Sequence, residues 1–407
     1  MQTSLTASFL ETPAGKAADE ILRNCVHCGF CNATCPTYQL TGDELDGPRG
    51  RIYLIKQMLE GNTPSAATRI HLDRCLTCRA CETTCPSGVE YHTLLDTGRE
   101  LIETRVPRPV MTQLQRWLLR KGLTNRRLFT SALRLGQALR PLLPATLRQK
   151  IPLRQAHRQA ALFHAHPRSM LLLDGCVQPA LAPSINTATR RVLDALGINT
   201  IIARNSRCCG AVSHHLGAGN EARRFMRRNI DAWWPAINNG AEAIVITASG
   251  CAPMVKDYGT LLADDPDYAD KAARVSALAK DISEVIAAEP IDKQLASDAN
   301  RQAIAFHSPC SLQHGQKITG SVETILQKAG YRLQPVADSH LCCGSAGTWS
   351  ILQPAMANEL RDNKLAALQA GQPDIIATAN IGCLMHMASH AQVPVKHWIE
   401  LLEPEAN

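Results

Sequence analysis

Two stretches decide how this chain is read. Cys25-Val26-His27-Cys28-Gly29-Phe30-Cys31-Asn32-Ala33-Thr34-Cys35-Pro36 is the first, and Cys75-Leu76-Thr77-Cys78-Arg79-Ala80-Cys81-Glu82-Thr83-Thr84-Cys85-Pro86 is the second. Both have the spacing C-x2-C-x2-C-x3-C-P, and every cysteine of the second lies 50 residues after its counterpart in the first. The chain has 407 residues and 16 cysteines, too many for a reducing compartment unless most are ligands.

That spacing is the one that binds paired [4Fe–4S] clusters, the fourth cysteine of each run serving the other cluster. Three thiolates two residues apart wrap one face of a cubane. The proline after the last cysteine turns the chain away with its fixed φ. One cluster is therefore expected on Cys25, Cys28, Cys31 and Cys85, and the other on Cys75, Cys78, Cys81 and Cys35. The competing reading is a pair of four-cysteine zinc sites. These usually join two C-x2-C hooks across a longer loop, which the third cysteine and the repeated Cys-Pro do not match. The loops differ, with His27 in the first and Arg79 in the second, and Arg79 is expected to raise its own cluster's potential by stabilising the added electron.

Length implies two or three domains. No charged start followed by an apolar run opens the sequence, and no apolar stretch nears the roughly 18 residues of a membrane span. The expectation is therefore a cytoplasmic chain without signal peptide or transmembrane helix. Net charge is +7, unevenly spread: residues 104–173 hold no Asp or Glu but 14 Lys and Arg. Within this part Leu128, Ala132, Leu135, Leu139 and Leu142 recur at helical spacing among Arg126, Arg127, Arg134 and Arg140. One reading is a connecting helix that packs its leucines on a core. The other is a surface that docks on anionic lipid or an acidic partner. Nucleic acid is not expected, since no aromatic interleaving or binding module accompanies the charge.

Helices are expected around Arg51–Gly61 and Tyr91–Thr104, with the cysteine loops between them. After Arg168 short β-branched runs alternate with helices, and the pattern occurs twice. Cys176, Cys208, Cys209 and Cys251 recur as Cys310, Cys342, Cys343 and Cys383, at offsets of 134 for the first three and 132 for the last. The fold class is α+β multidomain: a helical two-cluster ferredoxin-type domain (1–104), a basic helical linker (105–168), and a duplicated α/β Cys-Cys-Gly domain (169–290 and 300–407). The cysteines fall where strands end, the side of an open α/β sheet on which ligands bind. Each quartet can hold an iron–sulfur centre, hold zinc, or consist of ordinary thiols. His214 and His215, and likewise His307 and His340, are candidates for ligation or proton transfer. Gly217-Ala218-Gly219-Asn220-Glu221-Ala222 matches G-x-G-x-x-A but follows no strand, so it reads as a helix start. No phosphate loop, nucleophile elbow or H-E-x-x-H is present, and no catalytic residue is expected on this chain.

Two C-x2-C-x2-C-x3-C-P runs joined through Asp46-Gly47-Pro48-Arg49-Gly50-Arg51-Ile52-Tyr53-Leu54-Ile55-Lys56, then two Cys-Cys-Gly units, resemble the iron–sulfur subunits of bacterial glycolate oxidase. Asn229–Pro235 and Asp338–Gly347 favour that member over related subunits of anaerobic glycerol-3-phosphate dehydrogenase and heterodisulfide-reductase-like proteins. The resemblance implies an oxidoreductase complex (a glycolate dehydrogenase of glyoxylate metabolism). FAD would lie on a catalytic subunit and a further flavin-binding subunit, not on this chain. The chain would pass electrons towards a membrane acceptor such as quinone, at the cytoplasmic side of the inner membrane. The alternatives are another flavin-dependent dehydrogenase, for D-lactate or glycerol-3-phosphate, or an enzyme acting at its own Cys-Cys-Gly sites. Relatives often close these domains with C-x-x-C. Here Met254 and His386 stand at the second position, so a centre must use four protein thiolates or fewer.

Overall fold

The computed structural model describes residues 1–144, 148, 151–155, 163–290 and 302–404. Parts of the basic segment and both ends of the second repeat (300–301 and 405–407) lie outside the described residues. The amino-terminal part is helical. Helices α1 (Pro13–Asn24), α2 (Pro48–Leu59) and α3 (Tyr91–Arg105) bury one face each, joining Leu22, Ile55, Met58, Leu94, Leu95 and Ile102 in one core. Proline stands at the first position of α1 and α2, where its missing N–H costs no helical hydrogen bond. A Cβ on Gly98 would come within 2.7 Å of Ile55 Cγ1, so glycine lets α3 lie close on α2.

Helices α4 (Val110–Thr124) and α5 (Arg126–Leu139) form a hairpin. Here the structure corrects the first of the two readings. Helix α5 buries no residue, and Leu128, Leu135, Leu139 and Leu142 are exposed rather than packed on a core.

The two repeats fold alike. In the first, β1 (Arg168–Leu172), helix α6 (Pro183–Ala195), β2 (Ile198–Ile201), helix α7 (Gly219–Asn238), β3 (Ile244–Ile246) and β4 (Ala279–Asp281) form a parallel sheet of order β2-β1-β3-β4. In the second, β5 (Ala303–His307), α8 (Ser321–Lys328), β6 (Arg332–Gln334), α9 (Pro354–Gln369), β7 (Ile375–Thr378), α10 (Ile381–Ala388) and β8 (Val395–His397) give the order β6-β5-β7-β8. Every residue of β3 and β7 is buried, as suits central strands covered on both faces. Expected element boundaries shift by a residue or two at most ends, and β2 stops at Ile201 rather than Ala203.

One apolar core runs through both repeats, holding Leu172, Val245, Phe306, Ala377 and Trp398 together. The join is also polar. Ser249 N–H donates to Ala379 O at 3.1 Å, and the Ser249 and Ser311 hydroxyls meet at 2.9 Å. Buried His397 donates from Nε2 to Thr247 O at 2.9 Å and accepts at Nδ1 from Ile399 N–H. Asp281 and His397 end matching strands, and both cap the helix that follows through a capping box. Among the described residues no helix is long and apolar enough to cross a membrane.

Burial pushes the His397 pKa from 6.5 down to about 4. The unfolded imidazole takes its proton near pH 6.5 while the folded one stays neutral, so stability is full above that pH and falls as pH drops towards 4. This one side chain then accounts for about 3 kcal/mol of acid sensitivity. In urea titrations, His397→Gln is expected to flatten the pH dependence between 6.5 and 4; an unchanged slope would contradict this.

Candidate iron–sulfur centres

The two cysteine runs adopt one backbone course. His27 (φ 57°) and Gly29 (φ 86°) are left-handed in the first, Thr77 (φ 58°) and Arg79 (φ 60°) in the second. Each pair of bends leads into a short helix, Phe30–Ala33 or Ala80–Thr84. The third cysteine lies in that helix, and the fourth follows it. Such bends carry N–H groups and thiols inward around a common centre, which a regular helix or strand cannot do.

The runs lie against each other, with Thr34 Oγ1 donating to Ala80 O at 3.4 Å. Cys85 comes to the first run, where it is an electrostatic neighbour of Cys25 and Cys31 together with Cys28. Cys35 comes to the second, where it is a neighbour of Cys78 and Cys81 beside Cys75. Burial, reinforced by Cys25, Cys28 and Cys85, pushes the Cys31 thiol up to about 11. Burial likewise holds Cys78 and Cys81 well above the ordinary thiol range. Such thiols give up their protons when a cation takes their place. The donor set fits two four-iron clusters: four sulfurs around each centre, apolar walls, and few competing oxygen ligands. Cys28 is exposed, so the first quartet reaches the surface, whereas in the second Cys35, Cys75 and Cys81 are buried and Cys78 is half-buried.

Behind the second quartet lies a network that spacing alone did not reveal. Asp46, fully buried, accepts from Arg74 at 2.7 Å and pairs with His71 at 2.8 Å. Arg51, 1% exposed, donates to His71 O and Thr37 Oγ1 and lies 4.0 Å from Cys35 Sγ. Burial works against the Arg51 charge, but Cys75, Tyr91, Cys35 and Asp46 outweigh it and raise its pKa. Tyr91 Oη donates to Cys75 Sγ at 3.7 Å. Arg79 is arranged otherwise than the sequence suggested, for its Nη2 donates to Asp257 of the first repeat at 3.0 Å. The guanidinium against the thiols is that of Arg51. The only sequence signal for it was a basic residue in the stretch joining the two runs.

The Cys-Cys-Gly cysteines converge at the carboxyl ends of the strands. Cys176, Cys208, Cys209 and Cys251 follow one another in mutual contact. In the second repeat Cys310 Sγ lies 3.7 Å from Cys342 Sγ, with Cys343 next to Cys342 and Cys383 next to Cys343. Cys310 and Cys342 share an apolar cluster with Leu76, Cys78 and Trp349. Trp349 Nε1 donates to Arg74 O at 3.2 Å, and Thr83 pairs with His314 at 2.9 Å. The second repeat therefore sits directly against the second front quartet.

The four candidate histidines part ways. His214 Nε2 meets Asp96 of α3 at 2.9 Å; burial opposes its charge, and Asp96 more than compensates, raising its pKa. Burial pushes neighbouring His215 down to about 3. Both face Asp96 across the domain junction rather than completing a thiol quartet. His340 lends its carbonyl to His314. Only His307 lies among thiols, its ring grouped with Cys343 and Cys383.

The 4Fe-4S dicluster domain family matches residues 21–89, and the cysteine-rich domain family matches residues 170–256 and 304–388. The glycolate oxidase iron-sulfur subunit of Escherichia coli (strain K12) is 53% identical over 99% of this chain and 98% of its own length. The probable glycolate oxidase iron-sulfur subunit of Bacillus subtilis (strain 168) is 31% identical over 90% and 88%. A hypothetical protein from Helicobacter pylori shares the fold, with a TM-score of 0.55 at 10% identity over 98% of this chain and 74% of that one. Two paired cysteine runs, two Cys-Cys-Gly units in the same order and this near-complete alignment agree: the chain belongs to the family of glycolate oxidase iron–sulfur subunits.

Proposed function

We propose that this chain is the electron-transfer subunit of a complex that oxidises glycolate to glyoxylate. Electrons enter from FAD on a catalytic subunit, assisted by a further flavin-binding subunit, and leave towards a membrane acceptor such as quinone. Residues 1–104 form the two-cluster domain, 105–168 the basic linker, and 169–290 and 300–407 the Cys-Cys-Gly repeats. One observation carries the reading: thiol quartets follow one another from exposed Cys28 to half-buried Cys78, and Cys78 adjoins Cys310 and Cys342.

Two [4Fe–4S] clusters, when bound, accept and release single electrons. The residues supply the rest. Cys25, Cys28, Cys31 and Cys85 hold one cluster, and Cys75, Cys78, Cys81 and Cys35 hold the other. The crossed ligands tie both to one rigid unit. Leu76 and Trp349 keep water from the inner quartet, and Arg51 offsets the negative charge an added electron brings.

The basic hairpin is the face we assign to the membrane. Around Trp117, Leu118, Leu128 and Leu135 it exposes apolar side chains in a segment with no acidic residue. That combination suits the surface of an anionic bilayer.

Three outcomes test this. In anaerobically prepared protein, Cys85→Ser is expected to remove the EPR signal of the Cys25–Cys31 cluster and spare that of the run in which it lies, with Cys35→Ser doing the reverse. Loss within the mutated run would show uncrossed ligation, and a colourless zinc protein would end the reading. Arg51→Gln is expected to make the inner cluster's midpoint potential more negative, by on the order of 100 mV for one charge a few ångströms away. No change would remove Arg51 from that role. In co-sedimentation, phosphatidylglycerol vesicles are expected to bind the chain, and Leu118→Ser with Leu135→Ser to weaken binding at least about tenfold. Equal binding to neutral vesicles would contradict the membrane assignment.

A further inference from the structure

The two repeats share topology but differ in polarity at the end of the central strands. His307 closes β5 and Thr378 closes β7, and the two are paired in the parallel register. His307 is 2% exposed and Thr378 is fully buried. Neither ring nitrogen of His307 has a hydrogen-bond partner among the described residues, nor does Thr378 Oγ1. Three orphaned polar atoms at one buried spot are costly, because each forfeits its bond to water and receives nothing in return. The offsets that align the cysteines put Leu173 at the place of His307 and Ile246 at that of Thr378. There the first repeat fills the space with hydrocarbon, packed against Cys208 and Cys209. The second repeat has kept polar groups with nothing of its own to satisfy them.

Their surroundings indicate what does. A ring nitrogen of His307 and the sulfurs of Cys343 and Cys383 lie within 4.8 Å of one another. Lys364 Nζ, held by Asp338 O at 2.7 Å, adds positive charge within electrostatic reach of Cys310, Cys342 and Cys343. We propose that the second repeat holds an iron–sulfur centre of more than one iron, ligated by Cys310, Cys342, Cys343, Cys383 and a ring nitrogen of His307.

Donor number favours such a centre over zinc. A structural zinc ion takes four ligands in a tetrahedron, whereas here five donors follow one another from Cys310 through Cys342 and Cys343 to Cys383 and His307, two of them from adjacent residues. A centre with several irons distributes five donors without crowding. The Thr378 hydroxyl is then free to donate to an anionic sulfur. Neutral imidazole in place of a thiolate also raises a cluster's potential. Cys78 of the inner front quartet adjoins Cys310 and Cys342, so an electron moving inward would find its resting place here. His386, three residues past Cys383, donates from Nε2 to Ala357 O at 3.1 Å, and among the described residues it is His307, not His386, whose ring is grouped with Cys343 and Cys383. The inference rests on the iron–sulfur reading of the chain but not on its donor or its acceptor.

The test uses the full chain purified without oxygen and labelled with [15N]histidine. Pulsed EPR of the partly reduced protein is expected to show a strongly coupled nitrogen that changes with the label. The coupling should vanish in His307→Leu, the side chain the first repeat tolerates at that place, and persist in His386→Gln. Iron should exceed the roughly eight atoms of two four-iron clusters and return to about eight in Cys342→Ser/Cys343→Ser. Absence of histidine nitrogen coupling in the unmutated chain overturns the proposal without reference to any variant. So does coupling that survives His307→Leu, or iron content indifferent to the cysteine changes. None of these results would alter the signals of the two front clusters, so failure here is separable from failure of the electron-transfer reading.

Discussion

A thiolate buried in protein is costly unless positive charge stands beside it, and this chain buries many thiols close together. Like charges a few ångströms apart repel strongly where water cannot screen them. The metal-free thiols answer by holding their protons, as Cys31, Cys78 and Cys81 do. Iron held by these cysteines would resolve the conflict by replacing the protons with multivalent charge, which would couple its binding to the folding of the cysteine loops. The scaffold is arranged for that exchange. Arg51 is locked by Thr37, His71 O and Asp46 before any metal arrives, and Arg99 is anchored on the carbonyls of Leu72 and Cys75.

Duplication acts at two levels. The front runs are copies with the same left-handed bends, and the fourth cysteine of each lies beside the cysteines of the other. The Cys-Cys-Gly repeats are copies with the same strand order, joined through one core and through His397. Copies free one partner to change. The first repeat fills these places with Leu173, just past β1, and Ile246, and grips Asp96 of the front domain with its His214. The second keeps His307 and Thr378 at those ends and sits against Cys78.

The sequence carried the cysteine chemistry and the repeated strand order because both are written in spacing. Offsets between cysteines survive any detail of packing, and the short β-branched runs have few other places to go. What stayed hidden depends on neighbours remote in the chain. Arg51 and Asp46 come together with Arg74 through folding of the segment between the runs, and nothing in their spacing announces it. Arg79 is claimed by Asp257, which lies 178 residues away. The leucines at helical spacing in α5 marked a helix correctly, but periodicity cannot say whether an apolar stripe meets a core or solvent. His307 was one of four histidines near cysteines, and only strand register separates it from the others.

The most direct measurement is anomalous diffraction at the iron edge from crystals grown without oxygen. The account predicts iron peaks enclosed by Cys25, Cys28, Cys31 and Cys85 and by Cys75, Cys78, Cys81 and Cys35. Peaks enclosed by the four cysteines of a single run, or scattering that appears only at the zinc edge, would contradict it.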